Sequence, residues 1–158
     1  MDQACPECGA AWGNENTCQD CFHQMLFWEN EYPDYGEVHH LLVLCYHLQH
    51  PSLYSPEGLA EAQRLLTAFV AEGATTEDIR RRNRDRVSSD KRTWKIKATA
   101  VSYGSYPQPT NWPITAVDVV YGGADHYCAN VRQWAQSIHE ILRASGGIDY
   151  VGSLIGDW

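Results

Sequence analysis

Apolar residues recur at three- and four-residue spacing along several stretches of this chain, the period of an amphipathic helix. Leu59, Ala62, Leu65, Leu66, Phe69 and Val70 form one such stripe. Ser55 before Pro56 supplies an N-cap and a first helical position, and Gly73 supplies a stop. Thr75 and Asp78 have capping-box spacing. They predict a further helix running through Ile79 into an arginine cluster and fading near Ser88 and Ser89. The longest stripe is Tyr127, Val131, Trp134, Ala135, Ile138, Ile141 and Leu142, on a helix predicted over Asp125 to Arg143. Thr115 with Asp118 opens a short helix that ends at Gly122 and Gly123. Phe22 to Glu31 reads as a helix packed through Met25, Leu26 and Trp28. Only Trp94, Ile96, Ala98 and Ala100 alternate with polar residues, which predicts a short extended segment near 93–101.

The densest polar feature inside an apolar stretch lies at residues 37–51, where His39, His40, His47 and His50 share one predicted helix. At about 100° per residue they fall within an arc of roughly 100°. Leu41, Leu44, Cys45 and Leu48 cover the other side. Pro51 disfavours helical geometry in the residue before it, so the helix should stop near His50. Helical rise separates His39 from His50 by about 16 Å and His40 from His47 by about 10 Å, too far to share an ion. Only His47 and His50 have chelating spacing, and they would need ligands from another segment, such as Asp118, His126 or Glu57. The bland expectation is that His39, Tyr46, Gln49 and His50 hydrogen-bond to loops and neighbouring helices. The sharper one is acid–base work by His39, Tyr46 and His50 in a cleft beside Asp118 or His126.

Metal chemistry is more legible at the N-terminus. Cys5-Pro-Glu-Cys8 and Cys18-Gln-Asp-Cys21 are two C-x2-C pairs separated by nine residues, and Gly9 follows the first. Two such turns complete a tetrahedron of thiolates. The expectation is one structural zinc ion held by Cys5, Cys8, Cys18 and Cys21 in a knuckle or ribbon. Four thiolates close the shell without help from His23 and leave no open position for catalysis. Cys45 and Cys128 read as core thiols.

Composition adds bounds. The chain has 158 residues, 44% of them apolar, and six tryptophans, enough for one folded domain with a real core. No apolar run approaches 18 residues, and the N-terminus has no basic, apolar leader. The expected location is therefore cytoplasmic, with reduced thiols and no membrane contact. The net charge of −8 hides an asymmetry. Residues 80–97 carry nine of the twelve basic side chains and a net +7, against −15 for the rest. Such a segment suits an acidic partner, the protein's own acidic face, or a polyanion. For the last, Arg80, Arg81, Arg84 and Arg92 are the candidate contacts. There is no G-x-S-x-G, P-loop, G-x-G-x-x-G or H-E-x-x-H.

His39-x-Leu41-x-Val43-x-x-Tyr46-x-x-Gln49-His50-Pro51, preceded by Cys5-Pro6-x-Cys8-Gly9 and a further cysteine pair, resembles a bacterial domain-of-unknown-function family. That family shares an N-terminal cysteine knuckle and an H-x-L-x-V-x-x-Y-x-x-Q-H-P helix. The later Trp112-Pro113-x-Thr115-x-x-Asp118-Val119 and the Tyr127 to Trp134 helix are similar to it as well, so the resemblance covers most of the chain. Many members carry an acidic residue after the position that Val43 matches, where this chain has Leu44. The resemblance implies a single compact domain and zinc binding, and it brings no activity.

The expected architecture is mainly α. Residues 1–23 form the zinc knuckle or ribbon, 24–144 a compact helical domain, and 145–158 a glycine-rich apolar tail. The expected function is that of a zinc-stabilised cytosolic adaptor binding a protein partner, with no identifiable reaction. One alternative is a small enzyme, for instance a hydrolase, using a His/Tyr cleft. Another is nucleic-acid binding through the zinc module and residues 80–97.

Overall fold

A computed structural model describes residues 3–12, 17–75, 77–78, 81, 103–106 and 112–145. These residues are mainly helical, with one two-stranded hairpin at the N-terminus. Strand β1 (Gln3–Ala4) pairs antiparallel with β2 (Ala11–Trp12), placing Gln3 opposite Trp12 and Ala4 opposite Ala11. The turn between them is the first cysteine knuckle. Gly9 takes φ +76° there, a conformation that costs other residues a steric clash at Cβ. The Gly9 amide donates to the Cys5 carbonyl at 2.9 Å, and the Cys5 amide to the Ala10 carbonyl at 3.0 Å.

Helix α1 (Cys18–Glu31) begins four residues earlier than its apolar stripe implies. Thr17 and Asp20 form a capping box: the Asp20 amide donates to Thr17 Oγ1 at 3.2 Å, and the Thr17 amide to Asp20 Oδ2 at 3.0 Å. Two otherwise orphaned amides are thereby satisfied, and the helix starts at Cys18. The second cysteine pair is consequently a first helical turn rather than a second knuckle.

A 3-10 turn over Pro33–Val38 leads into α2 (His39–Leu48), the histidine helix. It stops before Pro51, as the sequence requires. His50 leaves helical geometry at φ −130°, ψ 65°, and a further 3-10 turn follows at Pro51–Leu53. Helix α3 (Pro56–Ala71) has the predicted cap, with the Gly58 amide donating to Ser55 Oγ at 2.9 Å. It closes at Gly73, whose φ of +73° lets the Ala74 amide reach the Ala68 carbonyl. Beyond it, Thr75 and Asp78 exchange the two hydrogen bonds of the expected capping box. Thr115 and Asp118 open α4 (Ala116–Tyr121) in the same way, and α5 (Tyr127–Ser145) is the longest helix.

Helix α2 packs on α3 and α5, and α1 packs on α4. The predicted stripe of α5 faces this core: Tyr127, Val131, Trp134, Ala135, Ile138 and Leu142 are all fully buried. Leu42 and Leu48 of α2, Met25 of α1 and Leu66 of α3 meet them. Tyr106 and Trp112 lie edge to face at 6.0 Å, and the Tyr106 hydroxyl donates to the Leu48 carbonyl at the end of α2. Tyr106 and Trp112 thus seal onto the core. The extended segment expected near 93–101 and the tail beyond Ser145 lie outside the described residues. No helix among the described residues is long and apolar enough to cross a membrane.

Candidate metal centre

Three cysteines and one histidine converge where the knuckle, the start of α1 and the end of α2 meet. The Sγ atoms of Cys5, Cys8 and Cys18 and one ring nitrogen of His50 all lie within 4.8 Å of one another. All four residues are buried. His50 Nε2 is 3.4 Å from Cys5 Sγ and 3.3 Å from Cys18 Sγ. Such a set can hold a metal ion.

Local structure aims each donor. The Cys8 amide points at Cys5 Sγ from 3.4 Å, as a knuckle whose backbone cradles a thiolate does. Cys18 occupies the first position of α1, where the helix dipole favours negative charge. His50 donates from Nδ1 to the Tyr46 carbonyl at 2.6 Å. That bond orients the ring and turns Nε2 toward the thiols. The Tyr46 ring stacks on Phe22 at 4.4 Å and lies against the imidazole at 4.3 Å, tilted by 32°. Pro51 contributes by forcing His50 off the helix, so its side chain is not bound to the 100° periodicity of α2.

The electrostatics match a thiolate cluster. A hydrogen bond from Cys8 holds the Cys18 thiol down at about 4 against the opposing effect of burial, with help from His50 and Cys5. Its partner Cys8 is pushed well up, first by donating to Cys18 and then by burial. Burial alone would pull His50 down, but the hydrogen bond to Cys18, the Tyr46 carbonyl and the negative charge on Cys18 and Cys5 lift it to about 9. Burial also raises the Tyr46 hydroxyl, followed by the charges of the three cysteines. A metal ion would displace the imidazole proton and bind the thiolates in its place.

Cys21, the expected fourth thiolate, stands apart from the four donors that converge. It is 2% exposed and belongs to the same buried cluster. Its thiol is pushed up to about 11, first by burial and then by the charges of Cys18 and Asp20. The second cysteine pair opens a helix and does not fold as a knuckle, and His50 is the fourth donor that converges with Cys5, Cys8 and Cys18. Sequence reasoning did not bring His50 to the cysteines, because it lies 32 residues beyond Cys18. The one local signal was a histidine before a proline at the end of a buried helix.

The remaining candidates separate. His39 donates from Nδ1 to Glu29 Oε1 at 2.7 Å, and Tyr127 donates to the other oxygen of that carboxylate at 2.5 Å. Asp118 accepts from the Thr115 amide at 2.9 Å as part of the α4 cap. Gln49 is fully buried and donates to the Ile114 carbonyl at 2.7 Å. His47 bonds to the Tyr54 hydroxyl at 3.3 Å. Tyr46 and His50 meet, but at the metal cluster, while His39 and Asp118 are engaged elsewhere. Arg81 is exposed and pairs with Asp78 at 3.8 Å. Arg80, Arg84 and Arg92 lie outside the described residues.

The chain belongs to a family of unknown function, DUF5946, whose model matches residues 3–143. The match spans both the cysteine knuckle and the histidine helix, as the motif resemblance implied. Neither the curated proteins nor the solved structures contain a match to the chain.

Proposed function

We propose that this chain is a zinc-stabilised adaptor that binds a protein partner, with one structural zinc ion held by Cys5, Cys8, Cys18 and His50. The observation that carries the reading is the closed, buried set of four donors within 4.8 Å. Three thiolates and one imidazole are an ordinary structural zinc shell. An ion about 2.3 Å from sulfur and about 2.0–2.1 Å from nitrogen, at tetrahedral angles, sets sulfur and nitrogen about 3.5 Å apart. The observed separations of 3.3 and 3.4 Å fit that requirement. Four protein donors leave no position for water or substrate, so the ion's work is to tie the hairpin, α1 and the end of α2 together.

The binding half of the reading draws on the surface. Phe27 and Tyr32 are exposed on and just after α1, and Tyr121 at the end of α4 is 85% exposed. The body is acidic and the basic charge is gathered in one segment, a distribution that favours a charged protein partner. Six free thiols suit a reducing compartment such as the cytoplasm. Elemental analysis of the purified protein should find about one zinc per chain. Affinity capture from the native host, repeated with the purified partner, should yield a defined complex by light scattering. Absence of zinc removes the metal half of the reading. A monomer that retains no partner removes the adaptor half.

A further inference from the structure

The Glu7 carboxylate of the first knuckle is held by one residue of the 3-10 turn after α2, Ser52. Ser52 donates its hydroxyl to Glu7 Oε1 at 2.5 Å and its backbone amide to Oε2 at 3.2 Å. Glu7 lies between Cys5 and Cys8 in the knuckle, and Ser52 follows His50 by two residues. Each end of this two-point contact is itself stiff. On one side, the Gly9 amide bonds to the Cys5 carbonyl and the Cys8 amide to Cys5 Sγ. On the other, the Leu53 amide bonds to the His50 carbonyl at 3.0 Å and the Tyr54 amide to the Pro51 carbonyl at 3.1 Å. Both Glu7 and Ser52 are half-buried, so water competes with the contact less than it would at an open surface.

We propose that Glu7 is a positioning residue for the metal centre: its grip on Ser52 sets the placement of the knuckle thiols against the His50 imidazole, and hence the metal affinity, without touching the ion. The inference rests on the zinc reading above. Its physical basis is that the donors come from separate segments. Cys5 and Cys8 ride on a hairpin turn, and His50 sits on non-helical backbone between a helix and a 3-10 turn. Nothing within either segment fixes the distance between them. A carboxylate held by both an amide and a hydroxyl does so in two directions at once. Loss of such outer contacts weakens metal binding by about 10–100-fold in comparable sites.

The test compares zinc affinities of the full chain by competition with a chromophoric chelator. Glu7→Ala should bind about 10–100-fold more weakly than wild type. Glu7→Gln should recover to within about threefold, because its amide can accept from the Ser52 amide and donate to its hydroxyl. Cobalt-loaded wild type and both variants should give the same absorption bands, since the donor set is unchanged. Thr75→Ala is the control for plain destabilisation: it removes a cap beyond the far end of α3, a helix of 16 residues and about 24 Å long. It should lower the melting temperature and leave the affinity alone. Should Glu7→Ala not fold, Ser52→Ala removes one of the two bonds and should weaken binding by a smaller factor. Wild-type affinity in Glu7→Ala, or in Ser52→Ala where that variant must decide, overturns the proposal. So does Glu7→Gln binding as weakly as Glu7→Ala, or Thr75→Ala weakening zinc as much. A wild-type protein that takes up no zinc overturns the zinc reading itself, and the positioning role with it.

Discussion

His50 Nε2 lies 3.3 Å from the Sγ of Cys18, a residue 32 positions earlier in the chain. This contact joins the end of α2 to the start of α1 and completes a donor set that also includes Cys5 and Cys8.

The donor set makes a prediction that the cysteine spacing alone would not. His50→Ala should lose zinc on desalting, as should Cys5→Ala and Cys18→Ala. Cys21→Ser should keep about one ion per chain. Loss of a structural ion removes folding free energy directly. A loss of about 3 kcal/mol lowers the melting temperature of a chain of this size by roughly 6–12 °C. Elemental analysis with thermal unfolding checks both halves. A zinc-free Cys21→Ser and a zinc-loaded His50→Ala would restore the four-cysteine assignment.

Glu29 ties three helices together, accepting from Tyr127 of α5 and from His39 of α2 while its side chain is only 8% exposed. Glu29→Ala should cost about 2–4 kcal/mol, because two charge-assisted bonds go and a buried tyrosine hydroxyl loses its partner. His39→Ala should cost under about 1 kcal/mol, since that imidazole is 43% exposed and water screens the pair. Urea denaturation of the two variants separates these outcomes, and equal losses would contradict the network.

His139 is buried on α5, and its pKa is lowered from 6.5, first by burial and then by Arg143, with Glu140 opposing. A histidine depressed in the folded state binds fewer protons than the unfolded chain. Its contribution is therefore present above about pH 6.5 and is lost as pH falls from there through the lower folded value. The slope from this one group is at most about 1.4 kcal/mol per pH unit. His139→Gln should flatten the stability profile between pH 6.5 and 5 in denaturant titrations. An unchanged acid slope would show that other groups dominate.

Gly104 donates to the Tyr54 carbonyl at 2.8 Å. A Cβ there would meet the Pro51 carbonyl oxygen at 2.8 Å and Leu59 Cδ2 at 2.9 Å. Gly104→Ala should destabilise by about 1–3 kcal/mol through overpacking. Because Pro51 follows His50, zinc affinity should fall too. Chelator competition on the folded variant checks this. Unaltered stability would mean that the segment moves aside without cost.

Most of the helical architecture could be read from the sequence. Ser55 with Pro56, Thr75 with Asp78, and Thr115 with Asp118 mark helix starts by hydrogen bonds that span three residues. Spacing alone identifies the buried face of α5. Gly9 and Gly73 take the positive φ that their positions demand. These are local properties, governed by backbone sterics and by side chains within one turn. Thr17 with Asp20 carried the same kind of signal, and reading it would have turned the second cysteine pair into helix at once.

Ligand choice is a different kind of question. Whether His50 reaches the cysteines depends on where the end of α2 lies relative to the knuckle. Helix α2 packs on α3 and α5, His50 leaves helical geometry before Pro51, and Ser52 is bonded to Glu7. The sequence by itself determined the helices, their caps, and the presence of thiolates at metal-binding spacing. Only the tertiary structure decided which donors meet, because a coordination shell is a set of distances between segments far apart in the chain, and local preferences do not constrain those distances.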